Sequence, residues 1–138
     1  MTHAITHLRE DEIPAALALW HAAGLVSPPN DPEADVRAAL DGPSGTILAA
    51  HEASGALTGT VMAGYDGHRG WLYYLASDPA RRGQGIGAAL VEAAEQWLAG
   101  QGARVIRLMV RAENEQVATF YDGLGYERGD FLVFGKRL

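Results

Sequence analysis

The segment RRGQGIG, residues 81–87, constrains the fold more than any other part of the chain. It follows the apolar, β-rich run WLYYLAS and precedes a stretch whose apolar residues recur at helical spacing. Glycine lets the backbone approach a ligand closely and adopt positive φ. Free N–H groups at the start of a helix, together with the helix dipole, attract anions. The sequence therefore predicts a strand, a phosphate-binding loop and a helix in direct succession.

Two familiar phosphate-binding loops do not fit this segment. A P-loop requires Lys followed by Ser or Thr, and the segment contains no Lys. A dinucleotide fingerprint that begins at Gly83 needs a third Gly where Ala88 stands, although Ala is sometimes tolerated there. The stronger objection is that the sequence lacks an alternating βαβ half with an acidic ribose ligand. A flexible turn without a ligand remains the plain alternative.

The spacing of apolar residues predicts the element order β-α-α-β-β-β-α-β-α-β, which corresponds to one mixed sheet with helices on its faces. The first predicted strand ends at Leu8. The other predicted strands cover residues 46–52, 56–66, 71–77, 104–110 and 126–138. The first predicted helix covers residues 9–24 and the last covers residues 114–124. The second begins at Pro32 and the third at Ile86. Three prolines and an Asn-Asp pair make residues 27–32 a loop, and Asp31 is the expected N-cap of the helix that follows.

Length and composition narrow the function classes. A chain of 138 residues favours a single domain, 1–138. The formal charge of −6 argues against nucleic acid as a partner and is compatible with a cationic one. No apolar run approaches the roughly 20 residues that span a bilayer, and charged residues interrupt any signal peptide. The absence of cysteine favours a reducing cytoplasm, and His3 and His7 lack a third ligand for a metal site.

Two motifs at a typical separation carry a resemblance to a known family. The first consists of Arg82, Gly85 and Gly87 after the predicted fourth strand. The second lies on the last predicted helix and just beyond it, at Asn114, Ala118, Phe120, Tyr121, Leu124, Gly125 and Tyr126. On these motifs the chain resembles a GCN5-related N-acetyltransferase (GNAT) over essentially its whole length. The runs GTVMAGYDGHRG, NDPE and GKRL look like the bacterial YpeA-type acetyltransferases.

The resemblance implies an α/β (α+β) fold with a mixed, mostly antiparallel sheet of six to seven strands and about four helices. A β-bulge in the strand before the loop would open a splayed V between the central strands. The implied cosubstrate is acetyl-CoA, with no metal. Its pyrophosphate would bind the amides of residues 82–88, and its pantetheine arm would pair with the strand end. The implied cofactor-binding residues are Leu75, Ala76, Ser77, Arg81, Arg82, Gly83, Gln84, Gly85, Ile86, Gly87, Ala88, Asn114, Ala118 and Tyr121.

The implied reaction is acetyl transfer to a primary amine, of a small molecule or a protein, by direct attack in a ternary complex. Tyr121 matches the family's tyrosine and is the candidate general acid, whereas the backbone N–H of Leu75 or Ala76 would face the acetyl oxygen. Some relatives carry a catalytic Glu where this chain has Met109, so the general base stays open. The candidates for the base are Asp66, His68, Tyr73 and Glu113.

The acceptor is expected between the first two helices and the strand around Tyr73. The residues expected to contact it are Trp20, Asn30, Asp31, Asp66, His68 and Tyr73. Asp31 equally suits a helix cap, and Asp66 equally suits a hairpin turn. A different class of function also stays open, namely a non-catalytic sensor that binds CoA or another phosphate ligand. The chain would be a monomer, or a homodimer paired through the apolar run FLVF.

Overall fold

The computed structural model describes residues 3–27 and 30–138, so Pro28 and Pro29 of the predicted loop lie outside the described residues. The chain divides into two compact units, one that ends at Leu108 and one that covers Met109–Leu138. In the first unit the elements are β1 Ala4–His7, α1 Ile13–Ala22, α2 Pro32–Asp41, β2 Gly45–His51, β3 Leu57–Tyr65, β4 Gly70–Ser77, α3 Ile86–Gln101 and β5 Ile106–Arg107. Two short 3₁₀ turns, Glu10–Glu12 and Pro79–Arg81, precede α1 and α3. The second unit contains α4, Glu115–Gly123.

The strands form one mixed sheet in the order β1-β2-β3-β4-β5. The first four strands pair antiparallel, and β5 lies parallel to β4. Gly55, at φ +91°, makes the tight turn between β2 and β3 that an L side chain would strain. The predicted mixed, mostly antiparallel sheet and the four helices are confirmed.

Helices cover both faces of the sheet. On one face, Trp20 of α1 and Val36 of α2 are fully buried with Ile47 of β2 in the main core cluster. On the other face, α3 lies so close to the sheet that a Cβ on Gly59 would come within 2.7 Å of Ile86 Cγ2. Because these two layers bury the sheet on both sides, β2 and β3 are almost continuously buried rather than alternating.

The prediction of six to seven strands is wrong, since the described residues form five. The strand expected over 104–110 is reduced to Ile106–Arg107, and residues 126–138 form no strand. A strand needs both a hydrogen-bonded neighbour and a covered apolar face, and apolar composition specifies neither. The four apolar side chains of this segment are between 70% and 90% exposed: Phe131, Leu132, Val133 and Phe134. Burial therefore contributes nothing to ordering this segment as a strand.

Helix starts follow from caps and prolines. The helix predicted over 9–24 begins instead with the 3₁₀ turn, and α1 follows with Pro14 in its first turn. Asp31 caps α2 as predicted, because its side chain accepts a hydrogen bond from Ala34 N at 3.1 Å. Among the residues that the structure describes, no helix is long and apolar enough to cross a membrane.

A candidate anion-binding loop beside a bulged strand

A β-bulge interrupts β4 where the pantetheine contacts were expected. Met62 pairs with Tyr73 and Thr60 pairs with Ala76, so Tyr74 and Leu75 together face the single residue Val61. Tyr74 has φ +50° and is the only non-glycine residue with positive φ among the described residues. Such a bulge leaves backbone groups out of the ladder and bends the strand. The predicted bulge is therefore confirmed, and it is centred on Tyr74 and Leu75.

Among the described residues, no strand pairs with the other edge of β4 beyond Trp71. β5 pairs with β4 only at Gly70 and Trp71, so residues 72–77 of β4 lie beyond the end of that ladder. These residues include Leu75, Ala76 and Ser77. A strand that loses its neighbour part-way along presents backbone N–H and C=O groups that an extended ligand can pair with. This is the arrangement that the expected V between central strands requires.

The loop after β4 reaches α3 through two glycines in left-handed conformation. Gly83 has φ +80° and Gly85 has φ +74°, and Gly85 is the N-cap of α3. A Cβ at either position would meet nothing within 4 Å, so the space above the loop is open. The first backbone bond of the helix runs from Ala89 N to Gly85 O, at 3.0 Å. The N–H groups of residues 86–88 therefore have no partner inside the helix and are available to an anion.

The two arginines at this loop differ in their partners. Arg81 donates from Nη2 and Nε to Glu52 Oε2, at 2.6 and 3.0 Å, and its Nη1 also pairs with Asp78. The hydrogen bond from Arg81 lowers the pKa of the Glu52 carboxyl below its ordinary value. Arg82 is exposed and forms no ion pair with any residue that the structure describes. The charge left for an external anion is therefore mainly that of Arg82.

Gln84 lies between the two glycines with positive φ, and its side chain is hydrogen-bonded to His3 near the start of the chain. His3 Nε2 donates a hydrogen bond to Gln84 Oε1 at 3.0 Å. The side chain of Gln84 is thereby engaged within the protein. Any contribution of Gln84 to an anion site would come from its backbone N–H.

Trp20 lies in the core rather than on an open surface. It is fully buried, its ring stacks on that of Tyr74 with centroids 3.9 Å apart and an interplanar angle of 11°, and its Nε1 donates to Thr60 Oγ1 at 2.8 Å. In this structure Trp20 presents no surface to an acceptor. Asn30 is exposed, and Asp31 serves as the cap of α2.

Asp66 and His68 lie in the turn between β3 and β4. Asp66 Oδ1 accepts hydrogen bonds from the backbone N–H of Arg69 at 2.7 Å and of His68 at 2.8 Å. These two bonds lower the pKa of the Asp66 carboxyl, which makes it a weak base. Its Oδ2 also accepts from Trp71 Nε1 at 3.2 Å. The contacts of Asp66 are those of a residue that shapes a turn.

Tyr73, the last of the expected acceptor contacts, is 43% exposed and burial raises the pKa of its phenol. It precedes the bulge directly. Of the acceptor candidates, Tyr73 combines an open side chain with a place beside the bulged backbone.

The second unit contains the other motif. Tyr121 on α4 is 8% exposed, and burial raises the pKa of its phenol to about 12. Its ring makes edge contacts with Phe120 and Tyr126, with centroids 5.1 and 5.5 Å away. Asn114 caps α4 by accepting from Val117 N at 3.3 Å.

Two other candidates in the second unit are more open. Ala118 is half-buried on α4 and Glu113 is exposed, as is Met109, which stands where some relatives carry the catalytic Glu. Within the described part of the chain, no group of three or more His, Asp or Glu side chains could hold a metal ion.

Sequence reasoning missed the residues that surround Tyr74. Thr60 and Asp35 contact it across 14 and 39 residues of sequence, through Tyr74 O and the Tyr74 phenol. The available signal was weak. Thr60 is one of two threonines within the largely apolar strand β3, and the pair Tyr73-Tyr74 breaks the alternation of β4.

Known proteins resemble the chain in sequence and in fold. The sequence model described as the acetyltransferase (GNAT) family matches residues 1–126. An acetyltransferase of Pectobacterium atrosepticum is 43% identical over 94% of this chain and 92% of its own length. The structure of AAC(6')-Iy in complex with the bisubstrate analog CoA-S-monomethyl-acetylneamine covers 100% of this chain and 99% of its own, with a TM-score of 0.85 at 18% identity. An aminoglycoside acetyltransferase from an uncultured soil metagenomic sample covers 100% and 99%, with a TM-score of 0.76 at 24% identity.

Proposed function

The chain belongs to the acetyltransferase (GNAT) family, and we propose that it transfers the acetyl group of acetyl-CoA to a primary amine by direct attack in a ternary complex. The family and the enzyme class predicted from the sequence motifs are confirmed by the match over residues 1–126 and by the relative at 43% identity. Beyond the family and the enzyme class, the proposal adds acetyl-CoA as the donor and an amine as the acceptor. A closer relationship to YpeA-type members stays a prediction.

The observation that carries the proposal is the juxtaposition of a bulged, open strand with a glycine-capped helix. Both lie in the first unit and follow each other in sequence, from Leu75 on β4 to Ala88 in the first turn of α3. The backbone amides of residues 82–88 would hold the pyrophosphate, with Arg82 as the nearby positive charge. Gly83 and Gly85 leave room for phosphate oxygens to approach the backbone. Arg81 would contribute by fixing the start of the loop through Glu52.

The open edge of β4 suits the pantetheine arm. Its amide groups would pair with the backbone of Leu75, Ala76 and Ser77 in the way that an added strand pairs with a sheet edge. The thioester would then lie at the bulge. The structure of AAC(6')-Iy contains a CoA-based bisubstrate analog and shares this fold, which supports CoA as the ligand.

The chemistry requires a neutral amine, a stabilised oxyanion and a protonated leaving group. The amine nitrogen attacks the thioester carbon, and the carbonyl oxygen gains negative charge next to the N–H of Leu75 or Ala76. The C–S bond then breaks and the thiolate takes a proton. With a pKa of about 12, the Tyr121 phenol is protonated at neutral pH, and it is proposed as the donor of that proton because it matches the family's tyrosine. Asn114 and Ala118 would contact the coenzyme from the same helix.

Two of the residues considered at the position of the general base are disfavoured. The lowered pKa of Asp66 disfavours it, and Met109 cannot accept a proton. His68, Tyr73 and Glu113 remain proposals, and a water molecule that relays the proton to solvent serves the same purpose. Asn30 and Asp31 are proposed to border the acceptor region rather than to bind the amine directly, whereas Trp20 is buried in the core and does not contact the acceptor.

Several predictions from the sequence are retained as proposals. They are one domain over residues 1–138, a cytoplasmic setting, a monomer or homodimer, and no nucleic-acid or membrane partner. The formal charge of −6 supports a cationic small molecule or protein amino group as the acceptor. The non-catalytic sensor is the less favoured function, because the family and the curated relative are acetyltransferases.

The test is thiol release from acetyl-CoA in the presence of a broad panel of amines, including aminoglycosides, polyamines and peptide amino groups. The proposal requires turnover with at least one amine and a kcat for Tyr121→Phe at least about a hundredfold lower, with little change in coenzyme affinity. Tight coenzyme A binding without turnover on any amine would instead support the sensor.

A further inference from the structure

The backbone at the bulge of β4 is held by three side chains from three different elements. Tyr74 adopts φ +50°, a conformation that non-glycine residues avoid unless the surrounding structure determines it. Its carbonyl, ring and phenol each have one partner. The partners are Thr60 of β3, Trp20 of α1 and Asp35 of α2.

Thr60 connects two of these contacts. Its hydroxyl accepts a hydrogen bond from Trp20 Nε1 at 2.8 Å and donates one to Tyr74 O at 3.0 Å. Because Thr60 and Trp20 are fully buried, these bonds are protected from competition with water. The carbonyl of Tyr74 is therefore held in one direction. The peptide plane that contains this carbonyl also contains the N–H of Leu75, so the direction of that N–H is held with it.

The side chain of Tyr74 is fixed at its other end. The ring lies flat on Trp20 at 3.9 Å, and the phenol donates to Asp35 Oδ2 at 2.6 Å. Asp35 belongs to the helix that Asp31 caps and Val36 anchors in the core. Rotation of Tyr74 into an ordinary strand conformation would break both contacts. The left-handed backbone is thus maintained by contacts of the carbonyl, the ring and the phenol of one residue.

We propose that Thr60, Trp20 and Asp35 are positioning residues that hold Tyr74 in its left-handed conformation and thereby direct the N–H of Leu75 toward the acetyl carbonyl of the donor. None of the three touches the reacting atoms; they act through the backbone of the bulge. This inference rests on the proposed function, since it assigns to the bulge the oxyanion contact of acetyl transfer. Hydrogen-bond donors to an oxyanion act only when they are correctly placed, so small displacements lower kcat strongly.

The kinetic test compares Thr60→Val with Thr60→Ser. Valine has the shape of threonine without the hydroxyl, whereas serine restores the hydroxyl. We expect Thr60→Val to lower kcat by about tenfold or more while the KM for acetyl-CoA changes by less than about twofold. Thr60→Ser should recover kcat to within about threefold of the original protein. Equal kcat values for the Val and Ser variants would overturn the proposal.

A matched control removes a buried hydroxyl elsewhere in the same sheet. Thr46 on β2 is 6% exposed, and its Oγ1 lies 2.6 Å from His7 Nδ1. Thr46→Val should lower the melting temperature without lowering kcat. If Thr46→Val and Thr60→Val lose kcat in proportion to lost stability, the role of Thr60 is only structural and the proposal fails.

A second pair of variants tests the other side of Tyr74 and serves if Thr60→Val does not fold. Asp35→Asn keeps an oxygen that can accept from the phenol, whereas Asp35→Leu removes it. The Asn variant should retain kcat, and the Leu variant should lose about tenfold with little change in KM. Equal kcat values for these two variants would contradict the inference.

A measurement without turnover separates this inference from the proposed function. Amide hydrogen exchange of Ala76, which pairs with Thr60 in the ladder, should be faster by about tenfold or more in Thr60→Val, and unchanged at Ala94 within α3. Unchanged exchange at Ala76 would show that Thr60 does not hold the bulge. If the original protein acetylates no amine in the panel, the proposed function and the catalytic half of this inference fail, while exchange still decides whether the network fixes the backbone.

Discussion

A substitution pair at Gly85 distinguishes an anion site from a flexible turn most sharply. Gly85 has φ +74°, caps α3 and has open space where its Cβ would be. Asn and Asp tolerate left-handed backbone better than other residues with a side chain. Gly85→Asn and Gly85→Asp therefore introduce nearly the same shape and differ by one negative charge. That charge lies at the positive end of a helix of 16 residues.

The two expected effects of this charge have opposite signs. In the absence of ligand, a carboxylate at a helix N-terminus is favourable by roughly 0.3–1 kcal/mol, so the Asp variant should be at least as stable as the Asn variant. With the pyrophosphate bound, like charges about 4 Å apart repel by roughly 4 kcal/mol at an effective dielectric constant of 20. Because the loop is exposed, solvent reduces this value. We expect coenzyme A to bind the Asp variant at least about tenfold more weakly than the Asn variant, which is about 1.4 kcal/mol.

The assay combines thermal unfolding with calorimetric titration of coenzyme A. Raising the ionic strength from about 0.1 M to about 1 M shortens the Debye length from about 10 Å to about 3 Å, so the difference in affinity should narrow. Gly55 provides the control pair, since it also has positive φ and an unoccupied Cβ position but lies in the β2–β3 turn. Gly55→Asn and Gly55→Asp should bind coenzyme A equally. Equal affinity of the two folded Gly85 variants would refute the anion site.

Further predictions concern single side chains. Arg82→Gln should lower coenzyme A affinity several-fold with an unchanged melting temperature, whereas Arg81→Gln should lower the melting temperature because Glu52 and Asp78 lose their partner. Because the pKa of Glu52 is lowered, its ion pair with Arg81 stabilises the fold at pH values above the unfolded pKa of about 4.5. This stabilisation is lost as the pH falls further. The acid-unfolding curve of Arg81→Gln should therefore lack this pH-dependent loss of stability. The Tyr121 phenol, with a pKa of about 12, should stay protonated up to that pH. The pH–rate profiles of the original protein and of Tyr121→Phe should therefore have the same shape between pH 6 and 10. Asp66→Asn should leave kcat within about twofold, since Asp66 shapes a turn; a large loss of kcat at unchanged stability would restore it as the base.

The central part of the fold was predictable because local signals agree there. The predicted strands 46–52, 56–66 and 71–77 differ by about one residue from β2, β3 and β4. Two of the three glycines that predicted the loop, Gly83 and Gly85, have positive φ, whereas Gly87 lies in the first turn of α3, and Ile86 begins α3 as expected. Glycine position, apolar spacing and helix caps are properties of short segments. A short window of sequence is enough to recognise them.

Long-range partners were not predictable. Nothing in the local sequence shows that Arg81 is neutralised by Glu52, which lies 29 residues earlier, or that Asp35 binds Tyr74. Arg81 and Arg82 were both expected to bind the cofactor, and the structure pairs the first of them with Glu52. For the same reason the apolar character of residues 126–138 predicted a strand that is not formed. An apolar run indicates a tendency to be buried, and only the folded chain determines whether a neighbour is present.

Gly59 sets the distance between the sheet and the helix that begins the anion site. A methyl group there would come within 2.7 Å of Ile86 and 2.9 Å of Leu90, both on the first two turns of α3. Any side chain at this position would therefore push the N-terminal end of α3 outward and change where its free amides point. Residue 59 lies outside the proposed anion site, yet its lack of a side chain sets how closely the first turns of α3 pack on the strands.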